Sequence, residues 1–220
     1  MKGQNIFTAI ILTFFMTGCA TESHRAVEIQ KVATYNTAYT GKRSTLVVGG
    51  FSNKSNYMQG LFSSNIDRLG NQAKTILKTH LQQSNRFNLM DRDNMEELKR
   101  EAELSGVTQK ITGSRYVLTG HVTEFGRKVT GDRQLFGILG RGKEQIAYAK
   151  ITLQVIDTHT SAIIYSTQGA GEYSLSNREV IGFGGTAGYD ATLNGKVLNF
   201  AITEAVNAFV RDLDANVIEL

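Results

Sequence analysis

IAYAKITLQVI (Ile146–Ile156), then DTHT (Asp157–Thr160) and the β-branched pair Ile163-Ile164, is the stretch on which the reading of this chain turns. Ala147, Ala149, Ile151, Leu153 and Val155 alternate with Tyr148, Lys150, Thr152 and Gln154, and a period of two gives a strand one apolar face. The polar residues that follow are turn formers, so the pattern predicts an antiparallel hairpin. Upstream, RYVLTGHVTEF from Arg115 supplies another long strand-like run, separated from the first by a glycine-rich insert. On pattern alone this is the half-buried centre of a sheet in an α+β domain.

Working outward, Ser44–Phe51 (STLVVGGF) reads as a strand and Ser52–Gly60, dense in Ser, Asn and Gly, as a loop. Ile66, Leu69, Ala73, Ile76, Leu77, His80 and Leu81 recur at helical spacing, with Ser63 or Ser64 as candidate caps. Arg86–Met90 is a short strand. Asp91 is a candidate N-cap for a charged helix to about Leu104, and Gly106 stands where a left-handed residue is wanted. The stripe Val197, Leu198, Ala201, Ile202, Ala205, Val206, Phe209, Val210 and Leu213 predicts a closing amphipathic helix, with Asn194 as its candidate cap. The fold class expected is α+β, a mixed or antiparallel sheet with helices packed on one side, over 44–220.

Composition bounds the function. The chain has 41% hydrophobic and 20% charged residues, globular values that argue against disorder and against a run of membrane helices. With no proline and 22 glycines it suits a strand-and-turn protein. The net charge is +4, and removing Met1–Gly18 takes away Lys2 and no acid, leaving 23 bases against 20 acids. Bases and acids are interleaved, which argues against nucleic acid as a partner.

The N-terminus carries an address. Lys2 precedes an apolar run, Ile6–Met16, too short to span a bilayer as a helix, and Met16-Thr17-Gly18-Cys19 places small residues before the cysteine. This resembles a bacterial lipobox, although Met16 stands where Leu is usual; the bland alternative is an ordinary signal peptide that contains a cysteine. The resemblance implies cleavage after residues 1–18, acylation of Cys19 by more than one chain and stable anchoring, with 19–43 as a tether. Ala20, in place of an aspartate, favours the outer membrane. Cys19 is the only cysteine, so no internal disulfide forms.

Candidate chemistry is sparse. Gly182-Phe183-Gly184-Gly185-Thr186-Ala187 fits the letters of a dinucleotide fingerprint, but Tyr189-Asp190-Ala191-Thr192 delays the helix that must meet the pyrophosphate. His24, His80, His121 and His159 fall on separate segments without metal-ligand spacing. No catalytic group, cofactor or metal is expected, and the chain is not read as an enzyme.

Phe136-Gly137-Ile138, Gln145-Ile146-Ala147, Leu153-Gln154-Val155-Ile156-Asp157, Ile163-Ile164, Gly188-Tyr189-Asp190 and the closing helix together resemble the curli production and transport lipoproteins, the CsgG/HfaB-like family. The resemblance implies that the glycine-rich inserts near 127–143 and 168–188 are β-hairpins that subunits contribute to a shared outer-membrane barrel. Arg127, Lys128, Arg133, Arg141 and Lys143 crowd the first insert, and a barrel must keep such charges on its lumen face or at its rims. It also implies a pore constriction in the loop after the first strand, where Tyr57, Phe62 and Asn65 are the nearest counterparts; the alternative for Phe62 is a hydrophobic staple on its own helix.

The partners implied are further copies of the chain in a ring, exported fibre subunits, accessory secretion proteins and the outer membrane through the anchor. The function expected is an oligomeric secretion channel or anchor for extracellular curli-like fibre subunits. The alternative is a monomeric periplasmic lipoprotein that binds a cell-wall synthase or another envelope protein.

Overall fold

The computed structural model describes residues 29–57, 67–133, 141–179 and 193–220. Five strands, β1 (Ser44–Asn53), β2 (Phe87–Met90), β3 (Tyr116–Arg133), β4 (Arg141–Asp157) and β5 (Ile163–Glu179), form a mixed sheet in the order β2-β1-β3-β4-β5. β1 runs parallel to β2 and β3, whereas β3, β4 and β5 are successive antiparallel neighbours. The described helices are α1 (Arg68–Ser84), α2 (Met95–Leu104) and α3 (Leu193–Asp214).

The alternation in β4 is realised as expected. Ala147, Ala149, Ile151, Leu153 and Val155 are all buried, and α3 lays its stripe from Val197 to Val210 on this face of β4 and β5. Contact is closest at Gly169 and Gly171. A Cβ on Gly169 would stand 2.1 Å from the Ala201 carbonyl oxygen, and one on Gly171 would stand 2.7 Å from the Phe200 Cβ. The two glycines let the helix sit directly on the strand. Further along, Phe209 stacks between Phe87 and Tyr165, with centroids at 5.1 and 5.3 Å. The Tyr165 hydroxyl donates to Asp212 at 2.6 Å, and burial, with that carboxylate beside it, pushes the phenol up to about 12.

α1 packs beside α3 and over β1 and β2, so both core helices lie on one side of the sheet. Between them His80, 2% exposed, meets the Asn199 Oδ1 at 2.8 Å and the Thr203 hydroxyl at 3.1 Å. The helix-free face is crossed by the row Met90, Val47, Val117, Ile156 and Ile163, one apolar residue from each strand.

Three expected caps differ from those observed. Ser63 and Ser64 lie outside the described residues, and α1 is capped by Asp67, whose carboxylate takes the amides of Gly70 at 2.7 Å and Asn53 at 2.6 Å. Asp91 does not cap α2, which begins after Asn94; it accepts instead from the Asp93 amide, the Asn94 side chain and Lys78, and so shapes the turn. Asn194 lies inside the first turn of α3, with its side chain turned to Arg127. At the other end of α2, Gly106 is left-handed at φ +66° as expected. The amides of Gly106 and Val107 close on Glu103 and Ala102, a Schellman ending.

Residues 29–43, placed in a tether by the sequence reading, lie along the domain. Val32 is 3% exposed and packs into the core, and the Ala33 amide donates to Asn207 of α3. Arg86, 7% exposed, binds Asp214 at 3.0 Å, donates to the Thr37 hydroxyl and lies over the Tyr39 ring. This strap is therefore clipped to the C-terminal half of α3, at Asn207 and at the Arg86–Asp214 pair.

Candidate functional site

The feature that the domain itself does not explain is a ribbon at the far end of β3, β4 and β5. β1 pairs with β3 only as far as Asn53 opposite Val122. Beyond that point β3 pairs with β4 alone, residue by residue to Arg133 opposite Arg141, and β4 continues to pair with β5 to Arg141 opposite Glu179. Among the described residues the helix layer reaches less far: its outermost contacts are Asn194 with Arg127, Phe200 stacked on Tyr173 and the Lys196 ammonium 4.8 Å above the same ring. Tyr173 pairs with Ala147, which pairs with Arg127. Past this row the three strands run on for roughly 20 Å at the usual rise per residue.

The ribbon has two edges without a neighbour among the described residues, one along β3 after Val122 and one along β5. An edge strand presents a row of unpaired N–H and C=O groups, which another strand can satisfy. The first expected insert, 127–143, is thus the outer part of the β3–β4 hairpin in its described portion. The described portion of the second, 168–179, is the outer part of β5 and joins the same sheet; residues 180–188, with the Gly182–Ala187 motif, lie outside the described residues.

A collar closes the base of the ribbon. The Tyr57 ring packs 4.7 Å from that of Phe125, tilted by 50°, and its hydroxyl lies 3.5 Å from the Asn194 amide nitrogen. Asn194 Oδ1 accepts from Arg127 Nε at 2.9 Å, and Asn53 donates to the Tyr57 carbonyl oxygen. The loop after β1, the base of β3 and the first turn of α3 meet here. Of the predicted constriction residues, Tyr57 is placed in this collar, whereas Phe62 and Asn65, like Cys19, lie outside the described residues. The collar role of Arg127 and Asn194 was missed because their separation in sequence hides the pairing; the only hint is that Arg127 shares strand parity with Phe125.

The described histidines do not converge, and His24 lies outside the described residues. His80 is in the helix layer, His121 meets Ser52 at 2.9 Å on the helix-free face, and His159 is in the β4–β5 turn.

The chain is 59% identical over 214 residues, 96% of either chain, to a Neisseria meningitidis serogroup B protein named "Putative lipoprotein". It is similar to the solved structure of Lipoprotein GNA1162 from Neisseria meningitidis, at 15% identity and a TM-score of 0.37, over 79% of this chain and 99% of that one. It is also similar to the PelC dodecamer from Paraburkholderia phytofirmans, at 15% identity and a TM-score of 0.36, over 82% of this chain and 93% of that one. The family profile described as curli production assembly/transport component CsgG matches residues 28–220, and the chain belongs to that family.

Proposed function

We propose that the protein is an outer-membrane lipoprotein, anchored through Cys19, whose copies join edge to edge into an oligomeric channel or anchor for extracellular curli-like fibre subunits. The observation that carries this reading is the ribbon, which among the described residues has one edge without a neighbour on β3 and another on β5. Two unlike edges on opposite sides of one sheet suit head-to-tail pairing, which closes into a ring when the rotation per copy allows. In lipid every backbone group needs a partner, so a membrane ribbon requires such closure. Past the collar at Arg127 the described run of β3 goes on for six paired residues, Lys128–Arg133, toward the roughly 9–11 that a tilted strand needs to cross a bilayer.

Membership of the CsgG family supports the same reading. Electron microscopy of detergent-extracted particles tests it. Rings with a central hole are expected; single domains without a ring would overturn it in favour of the monomeric envelope-binding lipoprotein.

A further inference from the structure

The row Arg127–Ala147–Tyr173, where the ribbon leaves the domain, is gripped on both flanks by one helix. On the β3 flank Asn194 Oδ1 accepts from Arg127 Nε at 2.9 Å. On the β5 flank Phe200 stacks on the Tyr173 ring with centroids 6.1 Å apart, and the Lys196 ammonium stands 4.8 Å from the centre of the same ring. Asn194, Lys196 and Phe200 all lie near the start of α3. Backbone pairing alone leaves the direction of the ribbon open, since the twist between neighbouring strands ranges from about −10 to −35°. A helix that holds both outer strands narrows it.

The angle matters because ribbon and domain differ in width. At the usual strand spacing the ribbon, three strands wide among the described residues, covers about 14 Å. The sheet of the domain is five strands wide at the row from Met90 to Ile163, about 24 Å. In a ring whose ribbons repeat at the smaller spacing, domains that stand side by side with their sheets along the wall lie on a wider circle. The two circumferences differ by about 10 Å per copy. The outward lean of each domain on its ribbon therefore decides how many copies close the ring.

We propose that α3, by holding β3 at Arg127 and β5 at Tyr173, fixes that lean and thereby the number of copies; the inference rests on the ring of the proposed function.

The test is electron microscopy of detergent-extracted full-length particles, with rings sorted by copy number, alongside thermal melting of the same preparations. Asn194→Leu and Tyr173→Ala each release one flank, and Tyr173→Phe keeps the stacked ring. Expected are one copy number in wild type and in Tyr173→Phe, and a spread over several in each releasing variant, with the domain still melting as wild type does. Should Tyr173→Ala lower the melting temperature, Asn194→Leu, at a half-buried position, decides. One and the same copy number in wild type and both releasing variants would overturn the inference and leave the ring standing. Rings absent from wild type would instead overturn the ring itself, and this inference with it.

Discussion

Gly169 shows how little room a single residue can leave. Its missing Cβ is what brings α3 onto β5, with the Ala201 carbonyl oxygen and the Ala205 amide nitrogen both inside 2.6 Å of where that atom would be. Because both neighbours are helix backbone, Gly169→Ala must push the helix off the strand. It should cost about 1–3 kcal/mol, the usual range for overpacking, in urea unfolding, while Ala170→Ser on the exposed side of the same strand should change little. Arg86 illustrates the opposite case, a buried charge that needs its partner. Asp214→Ala leaves the guanidinium with Thr37 and the Ser84 carbonyl oxygen only, and should cost about 1–3 kcal/mol since Asp214 is itself partly exposed. Arg86→Met/Asp214→Ala should cost clearly less than the two single changes added together; strict additivity in that cycle would show the pair to be uncoupled.

Among elements, the β2–α2 corner is one whose stability should follow acidity. The Asn94 side chain, the Asp93 amide and Lys78 hold the Asp91 carboxyl well below the usual carboxylate range. A folded pKa below the unfolded value of about 3.9 means that the contribution is present above about pH 4 and fades as the pH falls further. Asp91→Asn should flatten the acid limb of the stability curve, and matching limbs in the two proteins would exclude Asp91 as its source. The strands and helices were legible because periodicity is local: the alternation from Ala147 to Val155 and the stripe from Val197 to Val210 state which face is buried. The caps were not. Asp67 caps α1 while also taking the Asn53 amide, and Asn194 answers Arg127, so in both cases the deciding partner comes from another element. The docking of the strap was hidden for the same reason, since Arg86, Thr37 and Asp214 are brought together only by the fold.

For the whole molecule, the ribbon and the domain are separable in the proposed assembly. Deleting residues 133–141 should abolish ion conductance in planar bilayers and leave the melting of the domain almost unchanged, because among the described residues the core contacts end at the Arg127–Ala147–Tyr173 row. Conductance equal to wild type would argue against the channel. The strap sets the remaining geometry. From Tyr39 at the Arg86–Asp214 pair to Ala33 at Asn207 it climbs along α3 toward that helix's first turn, the end at which the ribbon leaves the core. In the proposed assembly thirteen residues lead from Cys19 to Val32, the first buried residue of the strap among those described, so a lipid on Cys19 lies at most about 45 Å from it. That reach acts as a ceiling on height: while Val32 stays in the core the domain can stand no farther than this from the bilayer, and to rise beyond it the chain would have to tear Val32 out before the lipid let go.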